Sequence, residues 1–123
     1  MGMKACIDSD VLIDYFDGVE AAAKEFSKYS ALVISRITWM EALIGADGEE
    51  QQRIRESFMR SLGIVELDEA IGRSAISLRK EHRLKLPDAI IWATSLNAGA
   101  MLLTRKTKDF PRGERSIRFP YRV

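Results

Sequence analysis

The sequence predicts an α/β fold, a three-layer α/β/α sandwich around a mostly parallel sheet of four or five strands. Three observations carry that prediction. Short apolar, β-branched runs alternate with longer stretches of helical character, the pattern of a parallel sheet covered on both faces. A chain of 123 residues with 46% apolar content suits one domain, residues 1–123, with a sizeable core. The first strand, Ala5-Cys6-Ile7, runs straight into a carboxylate, Asp8, and ligands in open α/β sheets bind outside the carboxyl ends of strands.

The elements follow in order. Residues 4–7 read as a buried strand, residues 10–16 as a helix stopped by Asp17-Gly18, and residues 19–29 as a second helix. Residues 32–34, Leu-Val-Ile, suit a second buried strand. Residues 38–46 are helical, Asp47-Gly48 is a turn, and residues 49–62 form a polar helix with Gly63 placed as a left-handed C-cap. Residues 64–67 make a third strand. Asp68 caps a helix that runs to about His82. Pro87 suits the first turn of a helix reaching Asn97, and Gly99 follows its end. Residues 101–104 form a fourth strand and residues 117–119 a short fifth.

Right-handed crossovers align the carboxyl ends of parallel strands along one edge. Asp8, Ser35 and the segment after Thr104 should therefore face one crevice. Asp8 also suits an N-terminal helix cap. Glu41 has Ile37, Thr38, Ile44 and Gly45 as helical neighbours and no Lys or Arg among them. A lone carboxylate on such a stripe needs a positive partner if buried, and a metal ion would serve; exposure at a helix end would equally account for it. Asp88 sits where an acid interacts well with a helix dipole, ahead of the apolar run Ala89-Ile90-Ile91-Trp92-Ala93. Asp109, in Lys108-Asp109-Phe110-Pro111, is an ordinary turn residue unless its place after the fourth strand brings it to the same edge. Carboxylates converging on one edge repel unless cations compensate, and hard oxygen ligands suit Mg²⁺ or Mn²⁺.

Other chemistries find little support. His82 is the single histidine and reads as a surface residue at a helix end, which argues against Ser-His or Cys-His catalysis and against a zinc cluster. Cys6, the single cysteine, reads as buried and inert. No run approaches the roughly 18 apolar residues of a membrane span. Met1-Gly2-Met3-Lys4 lacks the apolar region of a signal peptide, Met3 reads as the natural start, and a cytoplasmic location follows as the default. The net charge of +1 hides an asymmetry. Residues 105–122 hold seven Lys or Arg against Asp109 and Glu114, a local +5, leaving −4 for the rest of the chain. Such a tail suits a polyanion or an acidic partner, or a solvated end.

Taken together, four segments resemble the motifs of PIN-domain nucleases, in particular the VapC-type toxins of toxin–antitoxin pairs. They are Ile7-Asp8-Ser9-Asp10-Val11-Leu12-Ile13-Asp14, Ile34-Ser35-Arg36-Ile37-Thr38-Trp39-Met40-Glu41-Ala42-Leu43, Leu86-Pro87-Asp88-Ala89-Ile90-Ile91-Trp92-Ala93-Thr94-Ser95 and Leu102-Leu103-Thr104-Arg105-Lys106-Thr107-Lys108-Asp109-Phe110. The resemblance implies metal-dependent endonucleolytic cleavage of RNA with Mg²⁺ or Mn²⁺. Asp8 and Asp88 would be direct ligands, Glu41 would bind metal or orient water, and Asp109 would complete the site or hold a second ion. Ser9 and Thr104 would fix the carboxylates by hydrogen bonds, and Arg105, Lys106 and Lys108 would guide phosphate. An antitoxin protein and a homodimer are the implied partners. Three departures stand out: Ser9 replaces the usual threonine, Asp10 the usual asparagine, and Lys106 a frequent asparagine. A lysine there could replace a metal, contact phosphate or lower activity.

Two alternatives remain open from sequence. Lys106 could mark a PIN-like domain that binds RNA or a partner and no longer cuts. Asp8-Ser9-Asp10-Val11-Leu12 also resembles the first motif of haloacid-dehalogenase-type phosphatases, and Ser35 fits the second. No paired aspartates follow residues 101–104, however, and Glu41 and Asp88 would have no role.

Overall fold

The computed structural model describes residues 3–123; the reading of Met1 and Gly2 lies outside the described residues. The elements run β1 (Lys4–Ile7), α1 (Ser9–Phe16), α2 (Glu20–Phe26), β2 (Ala31–Ser35), α3 (Arg36–Ile44), α4 (Gly48–Arg60), β3 (Gly63–Val65), α5 (Glu69–His82), α6 (Leu86–Asn97), β4 (Met101–Leu103) and β5 (Ile117–Arg118). All strand pairs are parallel and the order is β3-β2-β1-β4-β5. β1 is the centre, pairing Cys6 with Val33 on one side and Ile7 with Leu103 on the other. The α/β sandwich read from the sequence is the fold observed.

Successive strand residues point to opposite faces, and the core divides accordingly. Cys6 and Leu102 pack with Ile71, Ala75, Ala89, Ile91 and Trp92 beneath α5 and α6. Ala5, Ile7 and Leu103 pack with Val11, Leu12, Phe26, Ala42 and Met59 beneath α1–α4. Helix α6 is buried from Asp88 to Ser95, so its apolar run has no solvent face. Its polar residues are satisfied locally: Thr94 Oγ1 donates to Ile90 O at 2.7 Å and Ser95 Oγ to Trp92 O at 2.7 Å. Cys6 is fully buried, and burial, followed by the nearby Asp8 charge, pushes its thiol up to about 12. It is an inert core residue.

Several local expectations need correcting. Gly63 does not cap α4 in a left-handed conformation; Ser61 ends that helix, and Gly63 opens β3 opposite Val33. Its lack of a side chain has a packing reason, since a Cβ there would meet Val33 Cγ1 at 3.0 Å. The left-handed cap falls instead on Arg83, φ 56°, after α5. His82 is not a free surface residue: its ring lies 4.9 Å from that of Trp92 and its side chain is 18% exposed. Helix α3 begins earlier than expected because Ser35 Oγ accepts from Ile37 N at 3.1 Å. The second helix stops at Phe26, where Ser27 caps it, and residues 27–29 turn away.

Candidate active site

The carboxyl ends of β1 and β4 lie side by side, and Asp8 and Thr104 follow them directly. Asp8 is fully buried. It caps α1, with Oδ1 accepting from Ser9 N at 2.7 Å and from Ser9 Oγ at 3.5 Å. Thr104 Oγ1 donates to Asp8 Oδ2 at 2.7 Å. The cap and the crevice roles weighed for Asp8 therefore coincide. Asp88 enters from α6, whose first turn is set by Pro87, and is also buried. Lys106 links the two acids: its Nζ lies 2.9 Å from Asp88 Oδ1 and 3.7 Å from Asp8 Oδ2. Lys106 N donates to Thr104 Oγ1 at 3.1 Å, which locks the start of the loop against the residue that holds Asp8.

Burial, and then the neighbouring charge of Asp10, raise the Asp8 carboxyl to about 7; Lys106, Thr104 and Ser9 pull in the opposite direction. Asp10 is raised too, first by its own burial, against bonds from Arg105 N and Val11 N and the Lys106 charge. Burial pulls the Lys106 ammonium down, but Asp8 and Asp88 outweigh it and hold the ammonium above the ordinary lysine value. The pocket is thus a set of desolvated acids around one cation.

The remaining sequence candidates fall in different places. Glu41 is half-buried on α3, and its Oε1 is buried with no hydrogen-bond partner, as is Thr38 Oγ1 one turn earlier. The solvated helix end considered for Glu41 does not describe it. Asp109 is exposed on the turn after Lys106. Among the described residues, no three His, Cys, Asp or Glu side chains form a group that could hold a metal ion. The donor chemistry nevertheless fits a hard divalent cation. Asp8 and Asp88 are hard oxygen donors already arranged around a positive charge. Asp8 and Asp88 would hold such an ion.

Two residues of the site escaped the sequence reading as such. Asp10 Oδ2 accepts from Arg105 N at 2.9 Å and so fixes the loop after β4. Asp14, buried one turn later on α1, takes both arms of Arg105: Nε to Oδ2 at 2.6 Å and Nη2 to Oδ1 at 3.0 Å. Tyr121 adds a hydroxyl donor to Asp14 Oδ2 at 2.8 Å. The available signal was the spacing Asp10–Asp14, one helical turn on the same face of α1. The guanidinium of Arg105 is therefore engaged with an internal acid. Three of the seven tail cations are paired inside the fold: Arg105 with Asp14, Lys106 with Asp8 and Asp88, and Arg118 with Glu25. Lys108, Arg112, Arg115 and Arg122 are exposed and have no ion-pair partner among the described residues. Arg112 and Arg122 line, with Arg105, Phe119 and Tyr121, an open cleft of about 500 Å³.

No helix among the described residues is long and apolar enough to cross a membrane. The family model for the PIN domain matches residues 5–115. A chain of a toxin–antitoxin complex from Klebsiella pneumoniae matches with a TM-score of 0.90 at 36% identity, covering 97% of this chain and 99% of that one. DNA-bound VapBC from Salmonella typhimurium gives a TM-score of 0.75 at 21% identity, over 94% of this chain and 97% of that one. VapBC2 from Rickettsia felis, bound to a promoter DNA fragment, gives 0.71 at 17% identity, over 86% and 90%. At these last two identities the likeness speaks for the fold. No curated protein sequence matches the chain. The match of the PIN model over nearly the whole length leaves no place for the phosphatase alternative: the chain belongs to the PIN-domain family.

Proposed function

We propose that this chain is a divalent-metal-dependent endoribonuclease, one PIN-like domain acting as the toxin of a VapBC-type toxin–antitoxin pair. The observation that carries the reading is the meeting of Asp8 and Asp88, two buried carboxylates from distant segments, at one positive charge on the carboxyl edge of the sheet. Mg²⁺ or Mn²⁺ bound there would supply charge neutralisation at phosphate and acidification of a water. Asp8 and Asp88 hold the position for the ion. Ser9 and Thr104 orient Asp8 by donating to its two oxygens. Such outer contacts set ligand direction and basicity. Glu41 would add a ligand or orient the attacking water. Asp109, exposed on the turn after Lys106, would complete the site or serve a second ion only from that position. Lys108 and the exposed arginines of the cleft would attract the RNA backbone, with Arg105 in the cleft wall and Lys106 at the acids guiding phosphate.

An antitoxin is the natural protein partner, since the Klebsiella pneumoniae match is part of a toxin–antitoxin complex. An Arg or Lys from it, placed among the carboxylates, would compete with metal. Exposed apolar residues on the early helices, Met40 and Ile44 on α3 and Ile54 on α4, suit a homodimer or that partner. Lys106 favours a second reading, in which the domain binds RNA or a partner and does not cut. The experiment is a clean RNase assay with Mg²⁺ or Mn²⁺ on the wild type, Asp8→Asn and Asp88→Asn, with circular dichroism to check folding. Cleavage lost in both folded variants supports the nuclease. An inactive wild type that still binds RNA supports the second reading, and undiminished cleavage by either variant refutes the assignment of that residue.

A further inference from the structure

Lys106 bridges the gap between Asp8 and Asp88. Lys106 Nζ contacts Asp88 at 2.9 Å and lies 3.7 Å from Asp8, and both acids are buried. Its stem is anchored at the base, where Lys106 N donates to Thr104 Oγ1. Its side chain is 26% exposed, so the ammonium has a route to water. No other Lys or Arg is ion-paired with Asp8 or Asp88 among the described residues.

We propose that Lys106 is a built-in counter-ion, and that its ammonium and a divalent cation are alternative occupants of the space between Asp8 and Asp88. The inference rests on the metal-dependent reading of the same site. Two cations at contact distance from the same carboxylates repel strongly in a partly desolvated pocket. Without a metal, Lys106 keeps two buried acids from facing each other uncompensated, which a low-dielectric site penalises heavily. When a metal enters, the flexible lysine stem swings the ammonium towards solvent, on the side from which a phosphate would approach. Lys106 is in this sense a positioning residue that sets metal affinity.

The test uses the purified full chain freed of metal, with Mn²⁺ alone as the probe at mildly alkaline pH. Calorimetric titration compares the wild type with Lys106→Met, which keeps the stem and removes the charge. The expected result is Mn²⁺ binding about tenfold tighter or more in Lys106→Met, and a lower Tm than wild type in chelator that Mn²⁺ restores. Equal affinities overturn the counter-ion role and leave the nuclease reading standing. Absence of saturable Mn²⁺ binding in both proteins overturns the inference and the metal-dependent reading together. If Lys106→Met does not fold, the wild type decides: an amine-acylating reagent followed by mass spectrometry should modify Lys106 faster in saturating Mn²⁺ than in chelator. An unchanged rate overturns the proposal.

Discussion

Glu25→Gln should destabilise the protein at neutral pH and have no effect in strong acid. The Glu25 side chain is 2% exposed, and its two oxygens accept four bonds. Oε2 takes Arg118 Nε at 2.5 Å and Tyr29 OH at 2.6 Å, and Oε1 takes Lys28 Nζ at 3.0 Å and Arg118 Nη2 at 3.1 Å. Arg118 belongs to the edge strand β5, so this cluster ties α2 to the sheet margin. Burial alone would push the Glu25 carboxyl up; the bonds from Arg118, Tyr29 and Lys28 and the Arg118 charge outweigh it and bring it from 4.5 to about 2. At about 1.4 kcal/mol per pH unit, that depression is worth roughly 3 kcal/mol before screening. Glu25 is covered but lies just under the surface, and Arg118 and Lys28 are 42% and 56% exposed, so solvent screens the pairs. About 2 kcal/mol is the expected contribution. A depressed carboxylate stabilises the fold fully above its unfolded pKa, near 4.5, and loses that contribution as pH falls through about 2. Urea unfolding of wild type and Glu25→Gln from neutral to acid pH should give a difference of about 2 kcal/mol that closes across this window. A difference that is negligible at neutral pH, or constant with pH, would refute the reasoning.

Three further outcomes can be measured. Arg105→Ala strips Asp14 of its bidentate partner and should cost about 2–3 kcal/mol, below the full price of a broken buried pair because Arg105 is 29% exposed. A double-mutant cycle with Asp14→Asn should show a coupling of about 1–2 kcal/mol, and additivity would contradict the pairing. Arg83→Gly relieves the left-handed φ of 56° after α5 and should stabilise by roughly 0.5–1 kcal/mol in thermal unfolding; a loss of stability would refute it. Mn²⁺ affinity, read by calorimetry, should rise with pH to about 7 and then level off, because Asp8 keeps its proton below that value. The same elevation means that the Asp8 contribution to folding is greatest in acid and declines as pH climbs from 3.8 through about 7. A flat affinity profile over this range would refute control of binding by a raised Asp8 carboxyl.

Much of the frame was legible because its causes are local. Asp8 ends an apolar run, and Asp88 follows Pro87 and precedes five apolar residues, so each announces a strand or helix boundary in its own neighbourhood. The alternation of runs then implied the shared edge. What was not legible depends on distant partners. Glu25 looks like a solvated helix residue, although its spacing from Ala22 and Phe26 places it on the inward face of α2; Arg118 lies on the other side of the sequence. His82 reads as exposed from its place at a helix end, and only the arrival of Trp92 from α6 covers it. Gly63 is a glycine beside a helix end for a reason set by Val33 on the adjacent strand. The basic tail was read as a surface for a polyanion or acidic partner, or as a solvated end; neither reading foresaw that three of its residues pair with acids inside the fold, while four face solvent.

The segment Thr104-Arg105-Lys106 explains why the acids of the site converge at all. Thr104 donates to Asp8, the backbone of Arg105 to Asp10, its side chain to Asp14, and Lys106 to Asp88. Three consecutive residues after β4 thus engage four carboxylates from the β1–α1 junction, α1 and the first turn of α6. Each acid alone would pay to leave water; the tripeptide supplies a donor for every one. Only one of these bonds, that of Lys106, ends in a flexible ammonium on a partly exposed stem. The other three hold backbone, hydroxyl or bidentate guanidinium in place. The contacts to Asp8 from Thr104, to Asp10 and to Asp14 are therefore fixed, whereas the ammonium shared by Asp88 and Asp8 sits on an adjustable stem.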